Sequence, residues 1–536
     1  MGIWEGAQEE YNRLLALHKK LEAMKGRVPP QQPILKESVL TELSSIHCRN
    51  AQRPPGSYTC HTVVTDYYPP CLESWTTLQK TCISQLRIGV HHVGQVLVVR
   101  LITKPANHGG CLSAIEDEHG HVATIEVHND HREPYEVLPE GATCAIKQPF
   151  FYAVSKREVR VRVDHPSDLI LIAREPTTIN AEPHAAMLQK AEAALSMKQY
   201  TNACRYCLTT LIVDRSNPRA RLLLASAFYG LEKYKSCLET LQQLQVLGQF
   251  DSDASDLQTR GLARLSETYY ASCGIEEVAQ DTSKTRQEWL DHASSHETVI
   301  VRDSGAAGRG LFATKSVNKG DVVLCETAFA MVLPPSQLAR VICRHDLVRK
   351  RFRINPDVLL YVRVMEELQR RPTAVPDLLQ LWSGEYRSEV KEVLIVDGNL
   401  VLDAFHVSRI VELNAMACGP NRLGEGIWLK ASYTNHSCAP NVSYKLHGNL
   451  LVGHALEDIG EGQELLVSYI DHPETKPFKE RHQALAEWDF ACQCPRCTTE
   501  YFAQWINRIE GQLNASEENA REVTHSDGQE ADDGGK

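Results

Sequence analysis

The stretch 431–441, ASYTNHSCAPN, puts hydrogen-bonding and metal-binding side chains next to one another. It lacks the regular spacing of apolar residues that is typical of a helix or a strand. Farther along the chain, Cys492, Cys494 and Cys497 form a CxCxxC pattern flanked by polar residues. Three closely spaced thiolates suit zinc, although a closed structural zinc site takes four ligands. The pattern favours a zinc site over three merely buried cysteines, and such a site needs a fourth ligand from elsewhere in the chain.

Two further segments carry groups that could take part in chemistry. In the first, Gly308 and Gly310 flank Arg309, and glycine permits a close approach of the backbone to a ligand. By itself this pattern is equally compatible with a tight hairpin. In the second, Glu464-Leu465 leads to Tyr469, a tyrosine that is either a reactive-site residue or a core residue at the end of a strand.

The order and content of these patterns resemble a SET domain, the fold of protein-lysine methyltransferases, over residues 296–500. The patterns that carry the resemblance are Gly308-Arg309-Gly310-Leu311-Phe312, Asn435-His436-Ser437-Cys438 with Pro440-Asn441, Glu464-Leu465 with Tyr469, and Cys492-x-Cys494-x-x-Cys497. Together with helical repeats earlier in the chain, the combination is similar to the fungal TPR–SET proteins and to the SET-and-MYND family.

The resemblance implies S-adenosylmethionine as cofactor and Tyr469 as the residue at the methyl-transfer point. Trp488 is expected to line the lysine channel, although anchoring of the helix RHQALAEW would explain it equally well. The expected cofactor-binding residues are Gly308, Arg309, Gly310, Asn414, Asn435, His436 and Phe490.

Physical chemistry gives a reason for aromatic residues at such a site. The accepting amine must be neutral, and burial lowers the pKa of a lysine because it disfavours the ammonium form. Aromatic rings provide that burial, and their faces attract the positive charge of the donor sulfur. A phenol with an ordinary pKa near 10 is a poor base at neutral pH, so whether Tyr469 acts as one stays open.

By the same resemblance, Cys438 supplies the fourth zinc ligand, beside Cys492, Cys494 and Cys497. The family's MYND finger, in contrast, is expected to be absent, because Cys343 is the one cysteine between Glu326 and Ala417. The stretch 335–400 is expected to be a mostly helical insert instead.

Bulk properties limit the other possibilities. The chain has 536 residues, a net charge of −11 and 17 cysteines. The acidic balance argues against general nucleic-acid binding, which needs a basic surface. The sequence shows no N-terminal signal peptide and no apolar run long enough for a membrane span, so a cytoplasmic or nuclear location is expected.

The sequence predicts a multidomain α+β protein. The expected regions are a mostly helical one at 1–85, a small OB-like β-barrel at 86–175, TPR-like helical repeats at 180–292, a β-rich SET domain at 296–473, a zinc-binding post-SET segment with a helix at 474–511, and a disordered acidic tail at 512–536. Period-two alternation indicates five strands in the barrel region, with one exposed ring among Phe150, Phe151 and Tyr152. Tyr200 and Tyr234 stand 34 residues apart, the period of tetratricopeptide helix pairs.

The preferred hypothesis is a methyltransferase that acts on lysine side chains of a protein substrate, histone or non-histone, with possible partners at the TPR-like helices. The runner-up is a non-catalytic TPR/SET scaffold or chromatin-associated binding protein. A nucleic-acid factor that works through the barrel is a third possibility. The identity of the acceptor and the number of methyl groups added stay open.

Overall fold

The computed structural model describes residues 2–29, 34–52, 58–107, 109–130, 132–155, 158–172, 184–269, 289–305, 308–333, 340–354, 356–419, 422–488 and 490–526. The chain divides into two compact units. The first unit comprises Met1–Ser295, Glu326–Ser432 and Leu446–Leu451, and the second comprises His296–Cys325, Tyr433–Lys445 and Val452–Lys536. Among the described residues, no helix has the length and hydropathy required to cross a bilayer.

The structure is a mixture of helices and strands. The helices are Gly2–Leu21 (α1), Lys36–Gln52 (α2), Pro134–Val137 (α3), His184–Ser196 (α4), Tyr200–Val213 (α5), Pro218–Gly230 (α6), Tyr234–Val246 (α7), Ser252–Tyr269 (α8), Asp357–Arg370 (α9), Val375–Leu379 (α10), Ala404–Asn414 (α11), Phe478–Leu485 (α12) and Pro495–Ser526 (α13).

The strands of the first half of the chain are Tyr58–Val64 (β1), Gln79–Thr81 (β2), Val90–His91 (β3), Gln95–Leu101 (β4), Ala106–Asn107 (β5), Cys111–Asp117 (β6), Val122–Val127 (β7), Thr143–Lys147 (β8), Phe150–Ala153 (β9), Val159–Val163 (β10) and Leu169–Ile172 (β11). Those of the second half are Val299–Asp303 (β12), Arg309–Ala313 (β13), Val322–Thr327 (β14), Ala330–Val332 (β15), Arg340–Asp346 (β16), Arg351–Ile354 (β17), Ile395–Val396 (β18), Asn399–Leu400 (β19), Met416–Cys418 (β20), Gly424–Ile427 (β21), Asn435–His436 (β22), Val442–His447 (β23), Leu450–Ala455 (β24) and Glu464–Val467 (β25).

A ten-stranded sheet forms the main β-structure of the first unit. Its hydrogen-bonded order is β11-β8-β4-β6-β7-β10-β9-β3, with β2 beside β4 and β5 beside β6. The two end strands, β11 and β3, do not pair with each other, so the described residues contain no closed barrel, and the expected OB-like barrel is not confirmed. Parallel pairing of β10 with β7 is one contact that alternation along the sequence could not reveal.

The aromatic run in β9 differs from the prediction. Phe150, Phe151 and Tyr152 are all buried, so the expected exposed ring is not found. Alternation does send neighbouring side chains to opposite faces. However, Phe151 belongs to one hydrophobic cluster and Phe150 and Tyr152 to another, which means that both faces of the strand are covered.

The helices α4 to α8 follow one another with short connections. Asn217 caps α6 by accepting a hydrogen bond from the Ala220 N–H over 2.9 Å, and Pro218 occupies the first turn, where proline is tolerated. Cys204 and Cys207 are buried in a hydrophobic cluster with small residues of neighbouring helices, consistent with a packing role for this CxxC pair. The TPR-like assignment itself stays a prediction.

Among the described residues of the expected helical insert, the α-helices α9 and α10 lie in the middle part, and β18 and β19 follow them. Helix α9 begins at Asp357, whereas β16 and β17 precede it and pair with each other. Strand β16 also pairs in parallel with β1, although the two strands lie in distant parts of the sequence. At the other end of the chain, α13 continues to Ser526, into the stretch for which a disordered tail is predicted, and 527–536 lie outside the described residues. The domain boundaries themselves stay predictions.

Candidate active site

A four-stranded sheet of the second unit collects the three motif segments. Its order is β12-β13-β25-β22, so the glycine-arginine strand, the strand that starts at Glu464 and the strand Asn435–His436 are successive neighbours. Leu311 is opposite Leu465 in the antiparallel pair, and Asn435 is opposite Leu466 in the parallel pair. Backbone hydrogen bonding therefore joins segments that are far apart in the sequence.

The two glycines of the first motif have different structural roles. Gly308 has a positive φ of +79°, a conformation that glycine adopts without strain, and its N–H donates to the Gly305 carbonyl over 3.0 Å. Gly310 is buried, and a Cβ built there would lie 2.2 Å from Glu464 Oε1. Between them, exposed Arg309 has its guanidinium 5.3 Å from the centre of the Tyr433 ring.

Asn435 is held by both hydrogens of its side-chain amide. Its Nδ2 donates to Glu464 Oε1 over 2.8 Å and to the Arg309 carbonyl over 3.2 Å. These bonds link the predicted cofactor residues Asn435 and Arg309 directly, and they bring Glu464 into the same network.

His436 connects the predicted transfer point to the cysteine cluster. The backbone N–H of Tyr469 donates to His436 Nδ1 over 3.0 Å, so the ring proton is on Nε2, which lies 3.3 Å from Cys438 Sγ. Burial, followed by the positive charge of Arg481, lowers the pKa of His436 to about 4. The imidazole is therefore neutral at physiological pH.

Tyr469 lies within a group of aromatic rings. Its hydroxyl donates to the Thr434 carbonyl over 2.8 Å. Its ring centre is 5.3 Å from that of His436, 5.6 Å from that of Trp488 and 6.2 Å from that of Phe490. Burial, and then the negative charge of Glu464, raises the pKa of Tyr469 well above its ordinary value.

Trp488 and Phe490 are both half-buried and both pack on this group. Phe490 lies 6.1 Å from the His436 ring, and both residues contact a hydrophobic cluster that contains Ile470 and Leu485. This placement suits a channel wall and an anchor for α12 equally well. Their roles therefore stay predictions, as does that of Tyr469.

The four cysteines of the predicted zinc site converge. The sulfur atoms of Cys438, Cys492, Cys494 and Cys497 all lie within 4.8 Å of one another. Three of the thiols are buried and Cys494 is half-buried. Fully buried Arg481 donates to Cys497 Sγ over 3.4 Å and to Glu500 Oε2 over 2.8 Å, so a positive charge adjoins the sulfur cluster.

Asn414 belongs to the first unit, at the end of α11. Its Nδ2 donates to the carbonyls of Trp382 and Ile410, each over 2.7 Å. Both amide hydrogens are thus used within that unit. The predicted contact with the cofactor stays a prediction for this residue.

Comparison with known proteins agrees with the geometry. Residues 308–470 match the family model described as "SET domain". This part of the chain is therefore a SET domain. It contains the glycine-arginine strand, the Asn-His strand and Tyr469, whereas the CxCxxC cysteines follow it.

The relatives found by sequence differ in how much of this chain they match. A protein named "Methyltransferase" from Gibberella zeae is 24% identical over 511 residues, 81% of this chain and 70% of its own length. Protein-lysine N-trimethyltransferase SMYD5 of Homo sapiens is 38% identical over 81 residues, 14% of this chain and 19% of its own. Histone-lysine N-methyltransferase SET5 of Eremothecium gossypii is 35% identical over 88 residues, which are 16% of this chain and 18% of its own length. The chain therefore spans less than a fifth of the length of the last two.

Among solved structures, a humanized mutant of the Chaetomium thermophilum Polycomb Repressive Complex 2 is 18% identical and covers 33% of this chain and 15% of that one, with a TM-score of 0.14.

Some residues of the network had no signal in the sequence. Thr434 acts through its backbone carbonyl, which any residue type would offer. Arg481 lies in an ordinary amphipathic helix pattern, and only the fold shows that its guanidinium adjoins the cysteines. Ser304 carries no motif at all, yet its hydroxyl donates to both oxygens of Glu464, over 2.8 and 2.9 Å.

Proposed function

We propose that this protein transfers the methyl group of S-adenosylmethionine to the ε-amine of a lysine in a protein substrate, with Tyr469 at the transfer point. The observation that carries the proposal is the environment of Tyr469. Its hydroxyl is fixed by the Thr434 carbonyl, and rings of His436, Trp488 and Phe490 surround it. The SET-domain match and the relatives named methyltransferases support the reaction class, and the cofactor and the residue roles are the proposed part.

The residues present fit the proposed cofactor. Gly308, Arg309, Gly310, Asn435 and His436 are those that the family resemblance assigns to it, and the sheet brings their strands together. When bound, the sulfonium supplies a methyl group whose C–S bond electrons return to sulfur. The aromatic faces near Tyr469 suit a positively charged centre through cation–π attraction. Phe490 beside His436 offers a flat surface on which an adenine ring can stack.

Tyr469 acts by orientation rather than as a base. Because its pKa is raised, its hydroxyl keeps its proton at neutral pH, and that proton is engaged by the Thr434 carbonyl. The phenol oxygen can still accept a hydrogen bond from the incoming amine and direct the nitrogen lone pair towards the methyl carbon. The lysine gives its proton to solvent before transfer, and the ring-lined surroundings favour the neutral amine because they disfavour the charged form.

We also propose that Cys438, Cys492, Cys494 and Cys497 hold one structural Zn²⁺. Four thiolates are the donor set of a closed zinc site. Burial and then a hydrogen bond with Cys497 raise the pKa of the Cys438 thiol to about 11, because the charged thiolate is disfavoured away from water. A divalent cation would reverse that preference and tie the CxCxxC segment to the Asn-His strand.

The helices α4 to α8 are proposed to bind protein partners or to select the substrate, since stacked helix pairs offer extended surfaces for peptides. The protein is proposed to work in the cytoplasm, the nucleus or both. The runner-up function is a non-catalytic scaffold or chromatin-associated binding protein. The presence of Tyr469, Asn435 and His436 together, with the Tyr469 N–H hydrogen-bonded to His436, favours the enzyme.

The test is a methyl-transfer assay with radiolabelled S-adenosylmethionine and a whole-cell lysate as source of substrates. The native protein should label discrete protein bands. The Tyr469→Phe variant should lose at least about a hundredfold in rate, as expected when a group at the reacting centre is removed. Tyr501→Phe is the matched control, because Tyr501 is exposed on α13 and should leave the rate unchanged. If native and Tyr469→Phe proteins label nothing above background, the scaffold function gains support instead.

A further inference from the structure

The carboxylate of Glu464 joins three strands of the sheet. It shares the single Ser304 hydroxyl proton between its two oxygens, which lie 2.8 and 2.9 Å from Ser304 Oγ, and it accepts one hydrogen bond from Asn435 Nδ2 over 2.8 Å. Ser304 follows β12, Glu464 begins β25 and Asn435 begins β22. A half-buried carboxylate that accepts several hydrogen bonds is a strong anchor, because each bond to a charged group is stronger than one between neutral groups.

The Glu464 carboxylate determines which of its two orientations the Asn435 side-chain amide takes. The two ends of an amide have the same size, so hydrogen bonding decides which end faces inward. Here both hydrogens are used, one by Glu464 and the other by the Arg309 carbonyl. A carboxylate can only accept, which excludes the flipped orientation. Asn435 Oδ1 is consequently the end left for a ligand, and among the described residues no hydrogen bond to it is found.

Gly310 makes this arrangement possible. A Cβ at position 310 would lie 2.2 Å from Glu464 Oε1, closer than real Cβ atoms come to a neighbour, and 3.1 Å from Asn435 Nδ2, which is a tight contact. The missing side chain therefore makes room for the carboxylate. This gives Gly310 a role apart from the direct cofactor contact that the family resemblance implies.

We propose that Glu464 is a positioning residue for cofactor binding. It fixes Asn435 with its carbonyl oxygen towards the ligand, so that this position recognises a hydrogen-bond donor, such as a ligand ammonium group. Glu464 acts through Asn435 and need not touch the cofactor itself. The inference rests on the proposed function, because it requires that the cofactor binds at Asn435.

A double-mutant cycle tests this role against a merely structural one. The dissociation constant of S-adenosylhomocysteine is measured by calorimetry for the full-length native protein, Glu464→Gln, Asn435→Ala and the double variant, with the melting temperature of each. Glutamine keeps the size of Glu464 but can also donate, so it permits the flipped amide. Glu464→Gln should weaken binding about tenfold, in line with the loss of one charge-assisted hydrogen bond.

The decisive result is non-additivity. If Glu464 acts through Asn435, the double variant binds no more weakly than Asn435→Ala alone. Gly310→Ala, which displaces the same carboxylate, should weaken binding to a similar extent as Glu464→Gln. Glu461→Gln is the matched control, because Glu461 is an exposed glutamate outside this network and its variant should change the dissociation constant less than about twofold.

Two other outcomes would overturn different parts of the interpretation. If the native protein binds and the losses of the two single variants add in full, or if Glu464→Gln lowers only the melting temperature, the positioning role is wrong while the proposed function stands. If the native protein does not bind S-adenosylhomocysteine, the proposed function fails, and the role of Glu464 fails with it.

Discussion

The hydroxyl of Tyr469 donates a hydrogen bond to the carbonyl oxygen of Thr434 over 2.8 Å. Thr434 directly precedes Asn435, so the residue at the proposed transfer point is fixed to the backbone of the proposed cofactor strand. The backbone N–H of Tyr469 makes a second link, to His436 Nδ1 over 3.0 Å. Together these bonds hold the phenol between the aromatic rings and the Asn-His strand. Both hydrogen bonds agree with the proposed orienting role of Tyr469.

The raised pKa of Tyr469 gives a prediction for the pH dependence of the reaction. Only a neutral amine attacks, and an exposed lysine has a pKa near 10.4, so kcat/KM should rise with pH, about tenfold per unit at first. A raised pKa means that Tyr469 stays protonated as the pH rises, so its ionisation should not shape the profile between about pH 7 and 10. The measurement is the initial rate across this range.

The same profile of Tyr469→Phe distinguishes orientation from base catalysis. With orientation, the variant has a lower rate at every pH and the same slope. A variant that loses the slope itself would indicate that the phenol accepts the proton, contrary to the proposed role.

The cluster of four cysteines leads to a prediction about the number of zinc ions bound per chain. Elemental analysis of purified protein should give about one zinc per chain, because four thiolates complete one closed site. Cys494→Ser should fall well below that ratio and melt at a lower temperature, since zinc binding contributes to folding. Cys48→Ser is the control, because Cys48 is exposed and outside the cluster. A native protein with no zinc, or a Cys494→Ser variant that keeps all of it, would contradict the proposed site.

The close contact between Gly230 and Tyr200 leads to a prediction about stability. Gly230 ends α6, and a Cβ there would lie 2.3 Å from the Tyr200 ring. Gly230→Ala should lower the free energy of unfolding by about 1–3 kcal/mol, because the ring must move out of a packed position. Gly511→Ala, in a helix with open space around the residue, should instead be neutral or stabilising by up to about 1 kcal/mol. Denaturant titration measures both, and equal effects would refute the packing argument.

The motifs predicted which segments come together in the structure, because they combine residue types that are uncommon in such spacing. The roles of their residues stay predictions. Cys438 could be paired with Cys492, Cys494 and Cys497 only through the family resemblance, yet the four sulfurs do converge in the structure. Tyr469 and His436, likewise predicted from motifs, lie with their rings 5.3 Å apart.

The parts that were missed depend on tertiary pairing. The sheet of the first unit includes the parallel pair β7–β10, and β16 pairs with β1 across the intervening chain. Alternation of apolar residues indicates strands but not their partners, so five predicted strands did not reveal a ten-stranded sheet with an open order. The supporting contacts of Glu464 with Ser304 and of Arg481 with Cys497 were invisible for the same reason, since no local pattern encodes them.

The most direct test of the central claim is the location of the transferred methyl group. Native protein is incubated with a deuterated-methyl donor and lysate proteins, and labelled peptides are analysed by tandem mass spectrometry, with Tyr469→Phe in parallel. We predict the deuterated methyl on lysine ε-nitrogens with the native protein and its near-complete loss with the variant. Label on another residue type, or equal lysine labelling by Tyr469→Phe, would contradict lysine methylation at Tyr469.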